Sequence, residues 1–272
     1  MNLDYLYPAS TIAPLVIHIE EVQSLDIDID FTDTHIPSGY SSFVFNSSGK
    51  AEIIGNNALQ LPPYFLVTPI FKSVKIRVSG RLDSFIVTCR TSVLSRLFGI
   101  SVQRSREQYF TQLSTPIVEK IAAEIKANTN IKTREEIIET YLYKFTNLKG
   151  YQPDDIDFLY NSIIDSKGLS IMSDMYFKIV QSPQNIRKRF LKRIGINAKT
   201  LARIIRVNYL WDKIIKEKSI DFQDIVFEGN YFDQAHLIHD FKQIVGETPS
   251  YFFKRNQEHL SIISGKNHNS LQ

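Results

Sequence analysis

One spacing pattern occurs twice in the C-terminal third of the chain. The first copy is Ser182-Pro183-Gln184-Asn185-Ile186-Arg187-Lys188-Arg189-Phe190, followed by Gly195. The second is Asp233-Gln234-Ala235-His236-Leu237-Ile238-His239-Asp240-Phe241, followed by Gly246. Each opens on a good helix N-cap, Ser182 or Asp233. An aliphatic residue follows at +4, Phe at +8 and Gly at +13. Side chains four and eight apart share one helix face. The pattern therefore predicts two helices anchored by Ile186 and Phe190 or by Leu237 and Phe241, each stopped by a glycine in the left-handed C′ position. A shorter helix is predicted before each: around Met175, Tyr176 and Ile179 with the turn Val180-Gln181, and around Ile225, Val226 and Gly229 with the turn Asn230-Tyr231-Phe232. Asn230 falls where the turn wants a left-handed residue, a conformation Asn tolerates. Helix, tight turn, helix, with the second helix facing outward, is the arrangement this spacing specifies.

Charge adds a direction. The net charge is only +3, but Met175 to Trp211 contains no Asp or Glu while holding Lys178, Arg187, Lys188, Arg189, Lys192, Arg193, Lys199, Arg203 and Arg206. A surface built from that window is positive and attracts a polyanion; the plainer reading is a solvated basic face. The stretch Ala198 to Lys218 reads as one long helix joining the two units, with Leu201, Ile204, Ile205, Tyr209 and Trp211 among its apolar members.

The second unit and the segment after it resemble a known family. Gly229-Asn230-Tyr231-Phe232-Asp233-Gln234-Ala235-His236-Leu237-Ile238-His239-Asp240-Phe241-Lys242, then Gly246-Glu247-Thr248-Pro249-Ser250-Tyr251, is similar to the second helix-turn-helix of AraC-type transcription regulators. The resemblance covers approximately residues 157–256, with the first unit in register but looser. It implies a regulator that places two recognition helices in successive major-groove segments of double-stranded DNA, by the family's commoner habit as an activator, with RNA polymerase as a further partner. By register, Gln184, Arg187 and Lys188 of the first helix and Gln234, Ala235, His236 and His239 of the second face the bases. Arg193, Asn197, Lys199, Thr248 and Ser250 are placed at phosphates, with the helix starts at Asn197 and Thr248-Pro249 offering backbone N–H groups. Three positions depart from the pattern: Asn230 replaces Gly, Tyr176 replaces a small residue, and His239 replaces an Arg that would pair bidentately with guanine. The first unit is therefore expected to supply most of the affinity.

The first 105 residues read as strand-rich. Short β-branched and aromatic runs (Phe43–Phe45, Ile53-Ile54, Tyr64–Val67, Val74–Val78, Phe85–Cys89) alternate with turn chemistry at Pro37-Ser38-Gly39, Ser47-Ser48-Gly49, Gly55-Asn56-Asn57 and Ser79-Gly80. A short helix is expected from Thr91 to Leu97, then two antiparallel helices around Asn128-Thr129-Asn130, and a linker at Lys149–Pro153. The whole is an α+β chain: a β-rich region with a helical hairpin over residues 1–150 and an all-α region over 155–260. His35 to Asn46 and Leu97-Phe98-Gly99-Ile100 resemble the sensory region of many AraC-type proteins, which implies a cupin-like barrel, helices used for homodimerisation and a small-molecule effector. Tyr40, Phe43, Tyr64 and Phe71 are the expected lining; the alternative is that they are ordinary core aromatics.

Other classes fit the sequence less well. The single cysteine, Cys89, leaves no internal disulfide and no cysteine-rich zinc site. No apolar run of about 18 residues predicts a membrane span, and the N-terminus lacks a signal-peptide pattern, so a bacterial cytoplasmic protein is expected. A metal-dependent cupin enzyme would need clustered ligands, whereas the N-terminal half offers only His18 and His35, far apart in sequence. His236 and His239 have a spacing compatible with metal but sit in a recognition helix. No phosphate-binding glycine loop or nucleophile elbow is present, so neither an enzyme nor a cofactor is expected. An adaptor that keeps the fold without binding DNA is the remaining alternative.

Overall fold

The computed structural model describes residues 1–55, 58–99, 110–112, 115–170, 182–216, 222–255 and 258–265. The strands are β1 (Asn2–Leu6), β2 (Val16–Gln23), β3 (Ile29–His35), β4 (Ser41–Ile54), β5 (Leu59–Gln60), β6 (Tyr64–Val67), β7 (Val74–Cys89) and β8 (Phe110–Gln112). The helices are α1 (Thr91–Leu97), α2 (Pro116–Ala127), α3 (Ile131–Phe145), α4 (Asp155–Asp165), α5 (Pro183–Ile194), α6 (Ala198–Lys216), α7 (Phe222–Glu228), α8 (Gln234–Val245), α9 (Pro249–Phe252) and α10 (Glu258–Ile263). An antiparallel sheet region thus precedes a helical one, and the chain is α+β. The predicted helix around Met175–Ile179, with Tyr176 and the turn Val180-Gln181, lies outside the described residues.

The strands form one sheet in the order β1-β2-β7-β4-β6-β8, with β3 also on β7 and β5 on β4. Two expected turns are absent. Ser47-Ser48-Gly49 lies inside β4 and Ser79-Gly80 inside β7. The turn-forming residues are absorbed by bulges: the β4–β7 register shifts between Asn46 and Ser48 and again between Ser48 and Lys50, with Gly49 at φ 81° and Gly80 at φ 86°. The shifts swap the faces of β4. Ser42, Val44 and Asn46 pair with Thr88, Ile86 and Ser84, whereas beyond the bulge Ala51 pairs with Val78. Even positions before the bulge and odd positions after it therefore share one face. Strands β1 to β3 have no counterpart among the short runs read from sequence; acidic residues such as Glu20, Glu21, Asp30 and Asp33 interrupt their apolar patterns.

The two sheet faces have different neighbours. Phe45, Phe85 and Val87 pack with Ile125, Ile138 and Leu142 of α2 and α3. Arg134 of α3 is fully buried there, donating to Glu21 at 2.6 Å, to both Asp83 oxygens at 2.9 and 2.8 Å, and through Nε to the carbonyls of Ile125 and Asn128. Such a set is tolerable in the interior because every charge has a partner. The opposite face looks toward the helical region. Ile36 joins a core with Leu159 and Ile163 of α4, Ile186 and Phe190 of α5, Leu201 and Ile205 of α6, and Phe241 of α8.

The hinge of this contact is the loop Pro37-Ser38-Gly39. Asn208 of α6 donates to the Pro37 carbonyl at 2.7 Å, and the Tyr160 hydroxyl donates to that of Gly39 at 3.0 Å. Gly39 has φ 81°, and a Cβ there would lie 2.7 Å from Leu201 Cδ1. The left-handed backbone favours glycine, and any Cβ would push the Leu201 methyl aside. Gly39→Val is expected to destabilise the protein by about 2–4 kcal/mol, combining left-handed strain with overpacking, read as a lower urea midpoint with an unchanged slope.

Candidate nucleic-acid interface

Helices α5 and α8 form as their spacing specifies. Ser182 Oγ accepts from the Asn185 amide at 3.4 Å and Asp233 Oδ1 from the His236 amide at 2.7 Å. Gly195 and Gly246 close the helices at φ 87° and 88°. Ile186, Phe190, Leu237 and Phe241 are buried. The turn into the second unit is a Schellman motif: Tyr231 donates to the Val226 carbonyl at 2.9 Å and Asn230 to that of Phe227 at 3.1 Å. Asn230 carries φ 49°, so the departure from Gly is met by a side-chain type that enters this region readily.

Gln184, Arg187 and Lys188 are exposed on α5, and Gln234, Ala235, His236 and His239 on α8. The phosphate set divides. Lys199, Thr248 and Ser250 are exposed, as is Asn197, whose side chain accepts from the Thr200 amide at 2.8 Å and so caps α6 itself. Arg193 points inward instead. Its Nη1 and Nη2 donate to the two Asp154 oxygens at 2.7 and 2.6 Å, and its side chain is only 16% exposed. This guanidinium is committed to the fold and leaves the phosphate set.

Asp154 also caps α4, accepting from the amides of Ile156 and Asp157, and it accepts from Arg189 at 3.3 Å. Burial acts to raise its pKa, but hydrogen bonds and charge from Arg193, with the capping amides, outweigh it and hold the carboxyl well below the usual range. Arg203 and Arg206 are likewise engaged. Arg203 pairs with buried Asp240 at 2.8 Å, and Arg206 donates to the Gly168 carbonyl at 2.9 Å and lies over the Tyr231 ring. The acid-free window therefore meets acids from other segments, and among the described residues its exposed cations are Arg187, Lys188, Lys192 and Lys199. The sequence signal for Asp154 was available: Asp154 and Asp157 stand as N-cap and N3 at a helix start, and the two form a capping box.

In α8 a hydrogen-bonded chain reaches the outward face. Arg203 donates to Gln243 Oε1 at 2.6 Å, and the Gln243 amide meets His239 Nε2 at 2.7 Å. His236 instead sets its ring edge-on to Tyr231, at 5.2 Å between centroids. The two histidines thus take different partners. Among the described residues no three His, Cys, Asp or Glu side chains gather in a way that could hold a metal ion.

Residues 179–255 match the family described as "Helix-turn-helix domain". The C-terminal region is an AraC-type helix-turn-helix domain. Comparison with curated proteins gives no match. Among solved structures, ToxT from Vibrio cholerae O395 is 11% identical, with 84% of this chain and 96% of that one covered at a TM-score of 0.46. ToxT from Vibrio cholerae strain SCE256, bound to an unsaturated fatty acid, is 12% identical over 91% and 94% at 0.44. The AraC-like transcriptional activator CuxR is 11% identical over 99% and 90% at 0.29. The AraC-type assignment rests on residues 179–255.

Behind the AraC-type domain lies a cavity of about 400 Å³ between the sheet and α4, α6 and the chain end after α10. Val22, Ile76, Val78 and Leu82 make an apolar wall, while His18, Ser42 and Thr88 form a polar row on three neighbouring strands. His18 Nε2 meets Glu20 Oε1 at 2.6 Å, and His35 Nδ1 meets the Ile263 carbonyl at 2.7 Å. Burial holds the His35 imidazole below its usual pKa. These two histidines, distant in sequence, both line the cavity, His18 opposite Thr88 and His35 opposite Val74 at the two ends of β7. Tyr40 also lines it, with its hydroxyl pushed up to about 12 by burial. Phe43 and Tyr64 face the α2–α3 side, and Phe71 packs on the helical core, so these three are core aromatics rather than cavity lining.

Asp154→Asn is expected to cost about 1–3 kcal/mol at pH 7, since it removes the carboxylate that accepts both Arg193 hydrogen bonds and leaves only Asp157, at 3.6 Å, to balance that charge. A depressed folded pKa gives stability that is complete above the unfolded carboxylate value, about 3.9, and lost as pH falls below it. The gap between wild type and variant should therefore shrink below about pH 4, and urea midpoints at pH 7, 4 and 3 measure it.

Proposed function

We propose that the chain is a sequence-specific transcription regulator that binds duplex DNA through both helix-turn-helix units and responds to a small-molecule effector in the cavity. The observation that carries the reading is the AraC-type domain, whose two outward helices leave Gln184, Arg187 and Lys188, and Gln234, Ala235 and His239, exposed for bases. Gln and Arg are suited to bidentate base contacts, and Lys to a base or a phosphate. Lys199, Thr248 and Ser250 remain the phosphate candidates, with Lys192 added by its exposure. Activation through RNA polymerase, a homodimer and a cytoplasmic location belong to the same reading.

The cavity supports the effector half. Ile205, Asn208, Tyr209 and Asp212 of α6 line it beside the strands, and α6 is the helix that joins the two units. A ligand that touches α6 differently in two arrangements would bias the spacing of α5 and α8. An apolar wall with one polar row suits an amphipathic molecule.

Selection from random duplexes followed by gel shifts tests the reading. Binding should weaken steeply with salt. Arg187→Ala should lose about 1–3 kcal/mol and relax sequence preference, whereas Lys192→Ala should weaken all sequences alike and flatten the salt slope by about one. Salt-independent or absent binding would favour a protein-contact adaptor.

A further inference from the structure

The outward side of α8 carries apolar side chains among its polar ones. Ile238 is 40% exposed, Ala235 is exposed one turn before it, and Phe232, just ahead of the Asp233 cap, is 92% exposed. Ala235 and Ile238, three apart on α8, are neighbours on its surface, and Phe232 lies just before the helix start. Phe232 occupies the position from which an apolar side chain ordinarily staples to the residue after N3, here Leu237. Leu237 is buried and Phe232 is almost wholly in solvent, so Phe232 makes no such staple.

The side chains around the strip exclude an acidic partner less than they exclude a basic one. Lys242 and Lys254 are exposed, Asp240 is buried against Arg203, and Asp233 is occupied as the helix cap. His239 has Nε2 engaged by Gln243, and no guanidinium stands where one would fork onto guanine. In a major groove the apolar feature available to such a strip is the thymine C5-methyl group.

We propose that the second unit reads thymine methyl groups through Ile238, Ala235 and Phe232, so that its half of the operator is A·T-rich and methyl-dependent. This rests on the DNA-binding reading above. The first unit, with Gln184, Arg187 and Lys188 exposed, reads by hydrogen bonds alone, whereas the second adds methyl contacts to those of Gln234.

Uracil in place of thymine removes the methyl and nothing else. A selected duplex is made with deoxyuridine at single thymines across its length, and the full chain is titrated by gel shift. Wild type should lose about three- to fivefold at one or two thymines in one half-site, the factor expected of one buried methyl group, and nothing in the other half. Ile238→Ala should bind the thymine duplex more weakly and lose its sensitivity to uracil at one of those positions; Phe232→Ala, which alters only an exposed side chain, serves as the second variant. Equal affinity of wild type for thymine and uracil duplexes at every position overturns the proposal while leaving DNA binding intact. So does an equal uracil penalty in wild type and both variants. Failure to bind any duplex overturns the DNA-binding reading and this one with it.

Discussion

The Asp154 carboxylate caps α4 while accepting from Arg193 and Arg189 of α5, and Arg96 of α1 approaches it at 3.8 Å. One side chain therefore joins the end of the sheet region, the first helix of the C-terminal region and the first recognition helix. The orientation of α5 depends on it. With the inner cations drawn to Asp154, Arg187 and Lys188 are left on the outer face. Isolated surface ion pairs contribute little. This one differs because burial, capping amides and two forked guanidinium bonds act on the same oxygens.

A second constraint couples the two regions. Gly39, at φ 81°, brings the sheet loop against Leu201 of α6, and Asn208 fastens that loop to the helix. After α8 the chain returns to the sheet: the Arg255 guanidinium meets Asp33 at 2.8 Å, His259 stacks on Phe31, and Ser264 accepts from the Ile36 amide. The helix linking the recognition units and the segment beyond them both border the cavity. A change in the cavity is thus one contact away from α6, the helix that joins α5 to α8 through its two ends.

The two units are built alike and equipped differently. Both have a polar N-cap, two buried anchors and a terminal left-handed glycine. The outward residues of the first are hydrogen-bonding and cationic; those of the second include Ala235 and Ile238, with His239 tied to Gln243. Shared scaffolding with unequal surfaces is what a repeat permits, because the anchors at +4 and +8 do not restrict the opposite face.

Local periodicity and capping chemistry were legible in the chain itself. Helices α1, α5 and α8, the turn of α2 into α3, and the left-handed Asn230 follow from residues within one or two turns of each other, where helix geometry relates sequence directly to position. Long-range partners were not legible. Arg193 read as a surface cation because its acid lies 39 positions away, and Phe43 and Tyr64 stayed open between cavity lining and core because a strand's alternation does not say which face meets which helix. Ser47-Ser48-Gly49 and Ser79-Gly80 carried turn chemistry, yet the pairing of β4 with β7 turned them into bulges, since a ladder already held on both sides of the glycines keeps the strand running. His18 and His35, remote in sequence, came to one cavity only when β2 and β3 both paired with β7. Sequence alone determined the two paired helices and their caps, through local geometry; the tertiary structure decided which of their charges remain outside, because burial and ion pairing are settled by segments far apart in the chain.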